Sequence, residues 1–418
     1  MPEQLTAPVL FETRDLDLSS PPFKANPYPL YAQLRAQAPV HHARLSDGRE
    51  PWLVTRYDDA ARVLKDARFA KDRRNVVPPP APPRVPFVSL IRPLLRPLEF
   101  NLLDQDPPDH SRLRGLVHKA FSPRLVEQLR QRIESLTERL LDAVEGARRF
   151  DLVSAYALPI PSVVIADLLG VPASDRHRFH RWSSRMVAIS SGRDMLLALP
   201  SAMLFLRYAR QLAAYRRRQP GDDLVSALVQ AEEAGDRLSS DELVSMIVLL
   251  LIAGHETTVN LIACGTLALL EYPDQLERLR QAPALMGPAV EELLRYTSPV
   301  QVATERYALD DVDVSGTIIP RGGLTLVLIG SANHDERVFS RPDELDLARS
   351  PGSNAHLAFG QGIHYCLGAP LARLEGQIAF STLLRLPRLR LAVSPEALRW
   401  KPGIFVRGLE ELPITTVG

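Results

Sequence analysis

Between Ser240 and Glu271 the chain reads SDELVSMIVLLLIAGHETTVNLIACGTLALLE, and Tyr272-Pro273 ends the run. As one helix, these residues extend roughly 48 Å at the usual rise per residue. The middle of the run is apolar nearly all round, so the helix must cross the interior of a fold rather than lie on its surface. A chain of 418 residues, 45% of them hydrophobic, is long enough to wrap a large core around such an axis. The most apolar part, Val244 to Gly254, is only about half of the roughly 20 residues that a membrane span needs, which predicts a core helix and no membrane partner.

The remaining sequence predicts more helices and a little sheet, with no internal repeat. PWLVTRYDDAARVLKD reads as a short strand followed by a helix capped at Asp58 or Asp59. Residues 73–109 form a long proline-rich connector with apolar residues such as Val85 and Phe87, and connectors of this length inside compact domains are commonly functional. Ser122 and Pro123 predict the start of a helix whose apolar stripe is Leu125, Leu129, Ile133, Leu136, Leu140 and Val144, with Gly146 as its stop. Helical segments over 174–217 have wide apolar faces and suit a lid. GTIIPRGGLTLVLIG reads as two short strands around a Pro-Arg-Gly-Gly turn.

Charge excludes some functions. Fifty Lys and Arg against 49 Asp and Glu leave a net charge of +1, so neither nucleic acid nor an anionic membrane is expected as the main partner. Thirty-six prolines imply rigid connections between helices. Cys264 and Cys366 are the only cysteines, which excludes a disulfide scaffold and argues against a cysteine-built zinc site. The first residues, MPEQLTAPVLFETRDLDLSS, lack a basic segment followed by an apolar one, so no signal peptide is expected and a cytoplasmic location is.

Three constellations carry chemistry. In the long helix, AGHETT places Gly254, Glu256 and Thr257 among leucines, isoleucines and valines. A carboxylate there is costly without a partner or a task, and Thr257 is placed to bond back to the carbonyl of Ala253 and bend the helix. These residues suit a polar notch in an apolar wall or, equally, a patch where the helix meets solvent. In EELLRYTSP, Glu292 and Arg295 share one helix face. In HLAFGQGIHYCLG, the glycines allow a tight turn close to a bound group, and Cys366 precedes a helix with Pro370 in its first turn, where amides favour charge on sulfur. A nucleophile with His364 as its base, a buried structural cysteine and a thiolate ligand to haem iron are all open at this point.

The three constellations occur in this order in one chain, which resembles the cytochrome P-450 family in its bacterial form. Phe359-Gly360-x-Gly362-x-His364-x-Cys366-x-Gly368 is similar to the family's haem-binding loop, Ala253-Gly254-x-Glu256-Thr257-Thr258 to its oxygen-activation motif, and Glu292-x-x-Arg295 to its ion-pair motif. DPPDHSRLR (106–114), AFSPR (120–124), ANHDERVFSRPDELDLAR (332–349) and APLARLE (369–375) are similar too. The resemblance covers nearly the whole chain. It implies one domain over 1–418, triangular, mainly α with a smaller β-rich part, and a long helix crossing over one haem b. It implies Cys366 as the iron ligand in a loop with Phe359, Gly360 and Gly368. Ala253 would lie against the cofactor, and Glu256 and Thr257 would relay protons. Glu292 and Arg295 would form a structural ion pair, with Arg349 as third member, and His110, Arg114, Arg306 and His364 would hold the haem propionates. Where many relatives carry Asp, this chain has Glu256, and His334-Asp335-Glu336 replaces the usual Arg-Asp-Pro.

By matching positions, Leu249, Ala253, Gly254, Val302, Thr304, Phe405 and Val406 would line the substrate pocket, and their apolar majority predicts a lipophilic substrate. The implied reaction is a monooxygenation, hydroxylation or epoxidation, using O2 and two electrons from a ferredoxin or flavodoxin with its reductase. Arg112, Lys119 and Arg373 are candidates for docking that partner. The likeness points to secondary metabolites such as macrolides. Steroid or fatty-acid hydroxylation, a peroxide-driven peroxygenase, a haem-binding sensor and a cysteine hydrolase are the alternatives.

Overall fold

The computed structural model describes residues 16–76, 97, 101–121, 123–175, 192–233, 238–349 and 355–416. Its axis is the single helix Ser240–Glu271. Ser239 caps it: its hydroxyl accepts from the Glu242 amide, while the Glu242 carboxylate accepts from the Ser239 amide, which satisfies two of the helix's unpaired N–H groups. Tyr272 and Pro273 end it, because proline disfavours helical backbone in the residue before it. From Leu243 to Leu269 most residues on all sides are buried. By length and composition this helix would pass for a membrane span, but 67% of its most apolar window is buried inside the fold.

Four helices pack around the axis: Pro159–Leu168, Gly192–Arg218, Met286–Thr297 and Ala369–Leu383. Gly254 explains one close approach, since a methyl group there would sit 2.7 Å from Ile165 Cδ1 of the helix Pro159–Leu168. Behind them, Arg130–Val144 buries Ile133, Leu136 and Leu141 in the same core. The single helix expected over 123–144 is two, Pro123–Gln128 and Arg130–Val144. At Leu129 the amide donates to Val126 three residues back, a tighter turn than the α ladder allows. Ser122 lies outside the described residues, as do 77–96 and 98–100 of the connector and 176–191 of the lid segment.

The β part stands to one side. A five-stranded sheet runs Val40–His42, Trp52–Val54, Leu324–Val327, Arg306–Ala308 and Phe69–Ala70, antiparallel except where Trp52–Val54 meets Leu324–Val327. The two strands expected around Pro-Arg-Gly-Gly belong to different sheets, since Thr317–Ile319 pairs with Val312–Val314. The helix Tyr57–Lys65 starts from Arg56 rather than from Asp58 or Asp59, and its first amide donates to the Asp335 carboxylate instead.

Candidate active site

Residues 357–368 make a loop folded on itself. The Cys366 amide donates to the Phe359 carbonyl at 2.9 Å, and the Gly360 amide to Leu357 at 2.8 Å. Gly360 and Gly362 have φ of +69° and +74°, backbone that side chains resist. At Gly362 a methyl would also meet the Leu64 carbonyl at 2.8 Å. The Phe359 ring lies under the Arg373 guanidinium, 4.5 Å from its centroid. This loop presents Cys366 to a cavity of about 330 Å³ between itself and the central helix. Although the residue is exposed to the cavity, its surroundings push the thiol's pKa up, against the lowering effects of the Gly368 and Ala369 amides and Arg114. The amides anticipated to favour the thiolate are present, but burial outweighs them, so a cation on sulfur is needed to hold the charge.

The walls are mostly apolar. Leu249, Ala253, Gly254, Thr257 and Thr258 line the cavity from the central helix, Thr304 from the connection into the sheet, and Leu371, Ala372 and Glu375 from the helix after the cysteine. Ala253 is exposed although it sits mid-helix in the interior, because it faces this space. Thr257 Oγ1 donates back to the Ala253 carbonyl at 3.5 Å. Val302, Phe405 and Val406 are not brought into the wall. Val302 is buried in a separate cluster with Tyr31 and Leu34, and its amide is held by the Phe405 carbonyl.

At one end of the cavity four bases meet: His110, Arg114, Arg306 and His364. The two imidazoles are 4.2 Å apart. Among the described residues neither nitrogen of the buried His110 has a partner, and the two arginines donate to backbone carbonyls, Arg114 to Tyr365 and Arg306 to Thr304. Burial, then His110, Lys71, Arg306 and Arg114, push His364 down to about 2, so its ring is neutral. Burial holds Arg306 at about 10, still charged. Lys71, which the sequence did not single out, supports this end by donating to Thr304 Oγ1 at 2.5 Å and to the Glu305 carbonyl at 2.7 Å. Bases without acids ask for an anionic ligand. An apolar slot with one thiol on its floor and carboxylate acceptors wanted at its rim fits a haem.

Glu256 points elsewhere. Its Oε1 accepts from Lys401 Nζ at 2.6 Å, on a side of the helix that does not line the cavity. His255 is buried, with Nδ1 3.0 Å from the Leu251 carbonyl. Glu292 is fully buried and chelated: Arg295 Nε and Nη2 each lie 2.8 Å from its two oxygens, and Arg349 Nε lies 3.0 Å from Oε2. Arg295 also donates to the carbonyls of Asn333 and Pro342, tying the helix Met286–Thr297 to the segment that leads to the cysteine loop. Of the docking candidates, Arg112 is held by Asp109 and Glu242, and Arg373 by Glu291. Neither is a free surface charge, and the Lys119 side chain lies outside the described residues.

A mostly helical fold closed over a thiol-floored, base-rimmed slot defines a haem-thiolate protein. The sequence profile of the family Cytochrome P-450 matches residues 207–283 and 284–402. The polyketide biosynthesis cytochrome P-450 PksS of Bacillus subtilis is 44% identical over 400 residues, 94% of this chain and 96% of that protein. The cytochrome P-450 monooxygenase PikC of Streptomyces venezuelae is 45% identical over 96% of this chain and 93% of that one. The solved structure of PksS superposes with a TM-score of 0.88, covering 96% of this chain and all of the other at 43% identity. P450BioI, solved in complex with an acyl carrier protein ligated to hexadec-9Z-enoic acid, superposes with a TM-score of 0.86 at 40% identity, covering 94% and 99%. The chain belongs to the cytochrome P-450 family. It is a monooxygenase, and its cofactor is haem b.

Proposed function

We propose that this enzyme hydroxylates or epoxidises a lipophilic secondary metabolite of the polyketide or macrolide kind, with the whole chain 1–418 acting as one haem domain. The observation that carries the reading is the apolar cavity that opens Cys366 toward Ala253 and Thr257. The relative PksS, named for polyketide biosynthesis, supports the substrate class. Overall, one atom of O2 enters the substrate and the other leaves as water, which consumes two electrons and two protons.

Cys366 would ligate the iron, with Phe359, Gly360 and Gly368 shaping the loop. His110, Arg114, Arg306 and His364 would hold the two propionates, the arginines by charge and the neutral histidines by their N–H groups. When bound, the haem supplies an iron whose thiolate ligand favours O–O cleavage. Thr257 would hold a proton-donating hydroxyl or water against the cavity, and Glu256 would feed it after leaving Lys401. Leu249, Ala253, Gly254 and Thr304 would position the substrate by apolar contact. Electrons would come from a separate ferredoxin or flavodoxin and its reductase, docking on the cysteine side. Because Arg112 and Arg373 are internally paired, that docking must rest on other groups or on rearranged pairs.

Spin-shift titration with a panel of macrolides, steroids and fatty acids, followed by product analysis with a redox pair, tests the substrate class. A shift and a product carrying one added oxygen from the macrolide set are expected; turnover of steroids or fatty acids alone would overturn the assignment. Thr257→Ala separates oxygen-driven from peroxide-driven chemistry. The oxygen-driven reading predicts a several-fold rise in hydrogen peroxide per electron consumed, and unchanged coupling would favour the peroxygenase.

A further inference from the structure

Thr304 meets the cavity with more than a methyl group, and the sheet decides how. Phe69–Ala70 pairs with Arg306–Ala308 so that Ala70 lies opposite Tyr307, which brings the next residue, Lys71, level with Arg306. Lys71 is 5% exposed. Its amide donates to the Asp106 carboxylate at 2.8 Å, and the Asp72 amide donates to the same carboxylate at 3.0 Å, so the root of the side chain is fixed. From there Nζ reaches the Thr304 hydroxyl at 2.5 Å and the Glu305 carbonyl at 2.7 Å. The Thr304 peptide is held as well: Arg306 donates to its carbonyl at 3.2 Å, and Arg49 donates to the Glu305 carboxylate at 2.5 Å.

The direction of the Lys71–Thr304 bond follows from charge. A protonated lysine has three N–H donors and no acceptor, so toward it the threonine oxygen can only accept. Burial, then Arg306, pulls Lys71 down to about 7, while Asp104, Glu305 and Asp106 act the other way. The carboxylates that His110, Arg114, Arg306 and His364 would receive act with those acids and keep the ammonium charged. With its oxygen accepting, Thr304 has one hydroxyl proton left, and among the described residues nothing takes it. Thr257 in the central-helix wall differs, because its hydroxyl donates back to the Ala253 carbonyl. Thr304 therefore offers a fixed donor to a mostly apolar space. A hydrocarbon would bury that donor unpaired, whereas a carbonyl would satisfy it.

We propose that Thr304 orients the substrate by donating a hydrogen bond to a ketone or ester carbonyl on it, and that Lys71 is the positioning residue that keeps this proton turned to the cavity. The inference rests on the substrate reading given above and narrows it to lipophilic molecules that carry a neutral carbonyl.

The test is spin-shift titration of the haem-loaded enzyme with cyclopentadecanone and with cyclopentadecane, which share a ring and differ by the carbonyl. Comparing each probe between wild type and variant cancels their different solubility. Thr304→Val keeps the shape and removes the hydroxyl. It is expected to weaken the ketone roughly three- to tenfold and to leave the hydrocarbon unchanged. Lys71→Met keeps an unbranched stem and removes the N–H groups, and it is expected to weaken the ketone alone, in the same direction. In isotope-edited infrared spectra the C=O band of the bound ketone is expected at lower frequency in the wild type than in Thr304→Val. The carbon monoxide spectrum of each variant shows that its haem is in place. An equal loss for both probes in Thr304→Val would overturn the proposal by assigning the hydroxyl to the cofactor, and an unchanged ketone affinity would overturn it too. A ketone effect in Thr304→Val without one in Lys71→Met would overturn the role of Lys71. If neither ring binds and a fatty acid does, the substrate class fails and this proposal with it.

Discussion

Glu256, Thr257 and Thr258 are consecutive, yet each meets different chemistry. Successive helix residues are about 100° apart, so one step along the chain turns a side chain from Lys401 to the cavity. Residue type located this site, but it did not say which acid faces the haem slot. Glu375 carries no signal in the sequence, because a single glutamate in the helix after the cysteine has no pattern that assigns it to the buried face. Its buried state has a measurable consequence. A folded-state pKa near 8 against an ordinary value of 4.5 costs nothing while both states are protonated. The cost begins as pH rises through the unfolded value and is complete at about 8. Glu375→Gln should therefore gain stability relative to the wild type across that window, by on the order of 4 kcal/mol in total. Thermal unfolding midpoints from pH 5 to 8 check this; parallel profiles for the two proteins would contradict it.

At the scale of elements, the buried Glu292–Arg295–Arg349 group joins a helix to the segment that precedes the cysteine loop. Removing the carboxylate leaves two arginines buried without their counter-charge. Such broken groups typically lose about 3–5 kcal/mol, so Glu292→Ala should lower the urea midpoint strongly and impair haem retention. A change below about 1 kcal/mol would show that water reaches these arginines. The Glu292 and Arg295 pair was legible because three residues on a helix share a face. Arg349 was reachable only through family likeness, since 57 residues separate it from Glu292. The break at Leu129 and the Arg56 start were not legible: apolar spacing is the same on either side of a tightened turn, and the helix-starting amide is served by Asp335, far along the chain.

For the whole molecule, the long apolar run at 240–271 fixed the architecture most firmly, because a helix apolar on all sides has only the interior to occupy. The cysteine loop was equally readable, since positive φ and close approach leave glycine as the low-strain choice at 360 and 362. The pocket was less so. Val302 and Phe405 come from short segments whose facing depends on packing in the cluster of Tyr31 and Leu34, and local pattern does not encode that.

The account stands on Cys366 ligating haem iron inside this cavity. The absorption spectrum of the reduced protein before and after carbon monoxide tests that claim most directly, with Cys366→Ser beside it. The account predicts a Soret band at the long-wavelength position of thiolate-ligated haem in the wild type and its loss in Cys366→Ser. A band at the shorter-wavelength position in both proteins would contradict it, and so would the same long-wavelength band persisting without the thiol.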